Sequence, residues 1–571
     1  MEEVKLNKRE RYKAQMRPYD YYESYFDSLD FENLGEGDRF YLQDFGIFTT
    51  DFLEDEFTLR IRVPGGRIEA KQLQAVSDIV AEHDLTLILT ARGGLQLHGL
   101  DPDNVRAVYD AVNATGLSTW QSFGDNVRNI VTDVFDGCAP SSEIEAYPLV
   151  MQMQDKVLKN PRYVGMLPRR VSVGITGNRA NVSSFYANDV AFVLAEKAGV
   201  KGFNVYLGGK NTEVARAADI FLRPDEVVDF FAAFVETFYR HGSRGSRAYT
   251  RLFYLLETMG IEGFVERLAE AFGKPFEKAG TTLHEEKVFE TYELLADGTY
   301  AYRYESDFGR IDTNELAALA AYATQNGAQI RLGIDQNIYL LFLKEKDAPP
   351  VSPKPSATVL ACAGAGNCPY SFWSIKDESS LYLPLERIRR HRITVGFSGC
   401  AKGCGRHRHT DIGLIGLKTN HFGDTEGGAR IFAGAEHHRG RSVGRQLFSM
   451  VPFEHLYGVI DALIDLYEAS GATSFENFAA EGLNRFSPSF VSLWMLLGFE
   501  KGTVPPLPIE TPSEGDIAKE TALLKAAYPQ AAIPTYEAGF FDAIGTLSKA
   551  LWTVEGKDPT YKPPIERTVF R

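Results

Sequence analysis

The stretch GGRIEAKQLQAVSDIVAEHDLTLILTARGGLQLHGL, residues 65–100, is echoed without a gap by FGRIDTNELAALAAYATQNGAQIRLGIDQNIYLLFL, residues 308–343. Gly66, Arg67 and Ile68 meet Gly309, Arg310 and Ile311; Leu73 meets Leu316, Leu89 meets Leu332, and Leu97 meets Leu340. Each copy reads as a helix followed by a hairpin. Leu73, Val76, Ile79 and Val80 recur at helical spacing, while LTLILT and LQLHGL have the character of strands. The preceding run EFTLRIRV (56–63) alternates Thr58, Arg60 and Arg62 against apolar neighbours, which predicts another strand with one polar face.

A second repeat follows the first in the same order. RVSVGITGNRANVSSFYAND begins at Arg170 and RITVGFSGCAKGCGRHRHTD at Arg392. Val173, Gly174, Gly177 and Asp189 meet Val395, Gly396, Gly399 and Asp411, and Cys400 falls opposite Asn178. Two ordered repeats predict a duplicated two-module unit whose second half is specialised. The expected fold is α+β, and the expected segments are 1–50, 51–120, 121–290, 291–350, 351–500 and 501–571. The first, charged and aromatic, and the last, which opens on TVPPLPIETP, read as wrapping or interface segments.

The chain has 571 residues, 44% hydrophobic, with a formal net charge of −15. That balance argues against nucleic acid as the general partner but leaves room for a local basic patch. The start, MEEVKLNKRERYK, lacks the apolar core of a signal peptide, and SFVSLWMLLGF (489–499) is too short to span a bilayer, so the expected location is the cytoplasm. Five cysteines in a chain of this length do not make a disulfide framework. Four of them, Cys362, Cys368, Cys400 and Cys404, lie close together, which points to a metal centre or redox work. The five-residue gap in CAGAGNC suits zinc poorly, whereas Gly- and Ala-rich loops let backbone approach the sulfurs of an iron–sulfur cluster; spacing alone leaves both open.

C-x5-C followed by C-x3-C, together with LRIRVPGG (59–66), TARGGLQLHG (90–99), GDNVRNI (124–130), MLPRRVSV (166–173) and HTDIGLIG (409–416), resembles the siroheme- and [4Fe–4S]-containing nitrite and sulfite reductases. The resemblance covers roughly residues 40–500 and is nearest the ferredoxin-type, single-chain branch. It implies two ferredoxin-like half-domains (51–120 and 291–350) and two siroheme and cluster modules (121–290 and 351–500), related by pseudo-twofold symmetry. It implies one [4Fe–4S] cluster on Cys362, Cys368, Cys400 and Cys404, with Cys404 also bridging to siroheme iron. CAKGC is similar as well to precorrin-3B synthase, but the N-terminal segment, the second repeat and HTDIG favour the reductase.

Carried over by position, the family's anion-binding residues are Arg62, Arg128, Arg170 and Ser172. Fixed cations there would bind nitrite or sulfite and polarise its bonds. Thr90, Arg92, Gln96 and His98 are implied at the carboxylate-rich macrocycle; Gln336 and Asn337, which align with Gly93 and Gly94 in the second repeat, are expected at its other side, and Lys402 as a further cofactor contact. His98 is expected as a pocket residue and not an iron ligand. Two departures stand out. Lys402 occupies a position where the family favours asparagine, and Ser172 is neutral where sulfite reductases carry lysine, a pattern nearer to nitrite reductases. Nitrite to ammonia is therefore the expected reaction, with sulfite to sulfide the alternative. RIRRHR (387–392) and GRHRH (405–409) suggest docking of an acidic carrier such as ferredoxin. The chain shows no nicotinamide or flavin fingerprint, so electrons are expected from a separate protein. Cys138 reads as a small buried residue.

Overall fold

The computed structural model describes residues 6–50, 56–180, 184–285, 290–347, 358–421 and 424–531, together with a few single residues between and just after them. The polar tail beyond residue 533 lies outside the described residues. The chain forms two compact units, Met1–Lys354 and Pro355–Arg571.

The first unit holds both copies of the first repeat. Copy one is an antiparallel sheet in the order Ile47–Phe48, Phe57–Ile61, Leu95–Leu100, Thr86–Leu89. Copy two is ordered Tyr292–Leu294, Tyr300–Tyr304, Ile338–Leu343, Gln329–Leu332. The registers match at one constant offset: Leu97 faces Leu59 and Leu87, and Leu340 faces Tyr302 and Ile330. The copies also exchange edges. Arg67–Ile68 adds to the second sheet by pairing with Arg331 and Ile330. Reciprocally, Arg310 bridges Ile88 of the first sheet, and Leu89 N–H donates to Gly309 O at 2.7 Å. Helices Ala70–Glu82 and Thr313–Asn326 pack on each other, with Leu73 and Leu316 fully buried in a core shared by both copies.

The N-terminal helices Pro18–Tyr25 and Glu36–Leu42, with the turn Phe26–Ser28, press Tyr21, Phe26, Phe40 and Tyr41 into the same core, and helix Lys8–Gln15 adds Tyr12 at its edge. Lys13, itself buried, donates to Asp125 (2.9 Å) and to Leu167 O (2.7 Å). One ammonium thus fixes both loops that carry candidate cationic residues.

The second repeat appears once in each unit. Val173–Thr176 runs parallel to Val190–Lys197, with Val173 beside Val190. Val395–Ser398 runs parallel to Ile412–His421, with Val395 beside Ile412. Each pair continues antiparallel, through Val200–Leu207 and Arg216–Leu222 in one copy and through Asp424–Ala433 and Arg445–Pro452 in the other. A long helix follows in both, Val227–His241 and Phe453–Ser470, sealing one sheet face with apolar side chains. In the second unit a further parallel strand, Val359–Ala361, lies beside Val395–Ser398. After Lys501 the chain is held by Trp494 Nε1 donating to Pro505 O (2.8 Å), and by the Glu520 carboxylate, which accepts from Ser487 Oγ and from Ser513 Oγ. Among the described residues, no helix is long and apolar enough to cross a membrane.

Candidate functional site

The first unit builds a cationic face from the strands of copy one. Leu59, Leu97 and Leu87 point into the core, so the alternate residues Thr58, Arg60, Gln96 and His98 share the other face. Arg60 and Gln96 are direct cross-strand neighbours, as are Thr58 and His98, whose hydroxyl and Nδ1 lie 3.2 Å apart. The Arg60 guanidinium lies over the Phe123 ring at 3.9 Å and donates to Ser122 O at 3.3 Å. Arg128 donates to the same carbonyl and to Gly124 O (2.8 Å).

Burial first, then repulsion from Arg60, Arg170 and Arg92, pushes the ionisation of Arg128 well below its ordinary range. Arg128 forms no ion pair among the described residues. Arg60, Arg92 and Arg170 thus bear on Arg128 as a cationic group, a repulsion that a small anion would relieve. The matching position in copy two behaves differently: Arg303 pairs with Glu305 at 2.9 Å.

Arg62 does not join this group. It is 1% exposed, and its guanidinium donates to the carbonyls of Trp120, Gln121, Val127 and Arg128 at 3.4, 3.4, 2.5 and 3.1 Å. Burial without an acidic partner lowers its pKa to about 10. Its place is under the loop that presents Arg128, and the arginine on the open face is Arg60, two residues earlier. Strand alternation puts both on one side, and sequence alone did not separate them; the signal was Phe123, an aromatic platform that Arg60 covers at 3.9 Å and Arg128 reaches at 6.0 Å.

Ser172 is likewise committed. Its Oγ donates to Asp189 Oδ2 (2.7 Å), as does its backbone N–H (2.8 Å), and it is fully buried. Asp189 Oδ1 is held by Arg251 at 2.7 and 3.0 Å. Arg169, next to Arg170, is driven down to about 9 by burial and then by Arg247.

Thr90 Oγ1 caps its own turn by accepting from Gly94 and Arg92 N–H (3.1 and 3.3 Å), and Arg92 Nη1 donates to Asn188 Oδ1 (3.3 Å). Arg92 is therefore held by a neutral acceptor beside the cationic group. Gln336 and Asn337 are buried braces. Gln336 Nε2 donates to Leu89 O (2.8 Å) across the two copies, and Asn337 Nδ2 donates to Asp335 Oδ2 (2.9 Å).

In the second unit, Cys362 and Cys400 follow the carboxyl ends of two adjacent parallel strands, and Cys362 N–H donates to Phe397 O at 3.0 Å. Cys368 and Cys404 come from the loops that continue. Burial first, then the charge of Cys404, raises Cys362 to about 12; Cys368 and Cys400 are raised by burial first and, among other influences, by Cys404. Cys404 thus bears on each of the other three thiols. Gly399 N–H donates to Cys362 Sγ at 3.2 Å, and backbone N–H groups of Tyr370 and Lys402 serve Cys368 and Cys400. Gly399 must be glycine, because a Cβ there would lie 1.9 Å from Ser371 Oγ. Four thiols, three of them served by backbone donors, fit an iron–sulfur cluster, whose sulfurs take such hydrogen bonds. Cys404 is exposed while the other three are half-buried. The Lys402 ammonium sits 2.8 Å above the Tyr370 ring.

The first unit carries Asp133 and Asn178 near the corresponding strand ends, and Asn178 Nδ2 donates to Asp133 Oδ1 at 3.2 Å. Cys138 packs among Val134, Phe135 and Leu341, with its thiol raised to about 11, first by burial. The basic runs are largely spoken for. Arg387 pairs with Asp461, Asp465 and Glu468; His391 contacts Glu468; and Arg406, His407 and His409 are buried.

Residues 123–276 and 390–477 match the nitrite and sulphite reductase 4Fe-4S domain, and residues 53–115 and 294–357 match the nitrite/sulfite reductase ferredoxin-like half domain. Together these stretches cover more than half of the chain. A ferredoxin–nitrite reductase of Synechococcus elongatus is 29% identical, over 77% of this chain and 92% of that protein. An assimilatory ferredoxin-dependent nitrite reductase of Haloferax mediterranei is 24% identical, over 75% and 83%. The solved structure of the NirA protein of Mycobacterium tuberculosis superposes with a TM-score of 0.75 at 21% identity, over 83% of this chain and 96% of that one, and shares its fold.

Proposed function

Because the chain belongs to the nitrite and sulfite reductase family, we propose that it is a siroheme- and [4Fe–4S]-dependent reductase that takes nitrite to ammonia with electrons from a ferredoxin-type carrier. The observation that carries nitrite over sulfite is Ser172. It is neutral and locked to Asp189, so this position adds no cation, and a monoanion needs less neutralisation than a dianion.

Cys362, Cys368, Cys400 and Cys404 would hold the cluster, and Cys404, the exposed one of the four, would be shared with a second metal. When bound, these cofactors supply single-electron relay and an iron that holds the substrate. Arg60, Arg128 and Arg170 bind the anion, and their positive field stabilises charge shifted onto its oxygens as N–O bonds weaken. The lowered ionisation of Arg128 keeps a proton near those oxygens as they leave. Arg92 and Gln96 serve the macrocycle's carboxylates, while Arg62 positions Arg128 by holding its carbonyl.

The test is steady-state turnover of nitrite and sulfite under one artificial reductant, on protein whose spectrum, iron and acid-labile sulfide have been measured. Siroheme absorption with higher kcat/KM for nitrite is expected. A large excess for sulfite overturns the substrate, and colourless zinc protein overturns the reading entirely.

A further inference from the structure

In the second unit Asp411 Oδ2 accepts from Thr394, as Asp189 accepts from Ser172 in the first. The other oxygen differs. Asp189 Oδ1 takes a bidentate guanidinium from Arg251, whereas Asp411 Oδ1 faces His437 Nε2 at 3.5 Å. His437 is 3% exposed, and neither ring nitrogen makes a hydrogen bond among the described residues. Glu476 Oε2 lies 3.9 Å from the same Nε2. The ring of His438 sits 4.1 Å from that of His437, centroid to centroid. One nitrogen of each histidine and one oxygen of Glu476 all fall within 4.8 Å of one another.

Glu476 is aimed by the backbone. The N–H groups of His438 and Arg439 donate to its two oxygens, each at 3.1 Å, leaving further lone pairs free. Ligands of a tetrahedral zinc ion lie about 2.0–2.2 Å from the metal, so the set needs to close by roughly 1 Å. Two imidazoles with carboxylates suit zinc or a similar transition ion better than magnesium or calcium. Buried Arg406 bears on His437 with positive charge, and the two carboxylates offset it.

We propose that His437, His438 and Glu476, closed by Asp411, form a structural site for one zinc-type divalent cation, separate from the four cysteines. It would tie helix Phe475–Glu481 to the start of strand Ile412–His421, supplying the positive charge that Arg251 supplies to Asp189 in the first unit. With protein ligands in all four positions, the site is closed and not catalytic.

The experiment titrates zinc into the purified full chain, carrying its iron and sulfide, after dialysis against a mild chelator. Zinc, iron and sulfide are measured on the same samples, with X-ray absorption at the zinc edge. One zinc per chain, in a shell of nitrogen and oxygen only, is expected. His438→Ala and Glu476→Gln should each weaken zinc affinity at least tenfold with iron and sulfide unchanged. His438→Asn, at a half-buried position, guards against misfolding. Sulfur in the zinc shell, no retained zinc, or wild-type affinity in folded variants overturns the site.

Discussion

Ser172 Oγ and Asp189 Oδ2 lie 2.7 Å apart, and the aspartate's own N–H donates back to that hydroxyl at 3.0 Å. Thr394 and Asp411 reproduce the arrangement at 2.8 and 3.0 Å. A closed loop that recurs in both copies belongs to the fold. Ser172→Ala should therefore lower stability by about 1–3 kcal/mol, the cost of stripping a donor from a buried carboxylate. Ser172→Thr, which imports the second copy's residue, should cost less. Thermal unfolding with parallel nitrite kinetics checks this; an unchanged melt with a hundredfold fall in kcat would place Ser172 in the chemistry instead.

Arg60 and Arg62 should separate cleanly. Arg60→Ala removes an open-face cation, so KM for nitrite should rise about tenfold, roughly 1.4 kcal/mol, with little change in melting. Arg62→Ala strands four buried carbonyls, and stability should fall by at least about 3 kcal/mol. If Arg62→Lys kept full stability yet lost nitrite binding, the assignment would be reversed.

The duplication was legible because register survives where sequence drifts: Leu97 and Leu340 sit in equivalent ladders although their neighbours differ. The cysteine set stood out because thiols are rare in this chain. The arginines were not separable, because a strand pattern gives the face of a side chain and not its reach. Arg60 and Arg62 share a face, and only the 120–128 loop decides which guanidinium is swallowed by carbonyls. For Gln336 and Asn337 the bracing was not legible for a related reason. Their alignment with Gly93 and Gly94 was sound, and Gln336 (φ 64°) even shares the left-handed backbone of Gly93 (φ 58°), but their side chains brace the turn. In the basic run at 387–392 the pairing of Arg387 was not legible, because its partners, Asp461, Asp465 and Glu468, lie on a helix far along the chain, while Arg389, Arg390 and Arg392 stay exposed.

Asp44 gives the protein a pH dependence of a definite sign. Burial first, then the charge of Asp125, raises it to about 7, while Asn126 donates to Oδ1 at 2.6 Å. Between about pH 4 and 7 the folded chain holds a proton that the unfolded chain has released, so this group's contribution to stability is full below about pH 4 and lost as pH rises through 7. Asp44→Asn should remove the dependence. The variant should melt higher than wild type at pH 8, with the advantage shrinking toward pH 4. A wild-type slope across that range in Asp44→Asn would show that another group is responsible.

Cys404 offers the sharpest separation of holding from coupling. Cys362, Cys368 and Cys400 are half-buried and backed by backbone N–H groups, so serine at any of them should lower iron and acid-labile sulfide together. Cys404 is exposed, and by the proposed reading its thiolate serves two metals. Cys404→Ser should abolish nitrite turnover and shift the tetrapyrrole spectrum, even in preparations that retain iron and sulfide after reconstitution. Metal and sulfide analysis, optical spectra and nitrite assays on one set of variants decide the matter. A Cys404→Ser protein with wild-type spectrum and rate would remove the bridging role and leave Cys404, at most, as one cluster ligand among four.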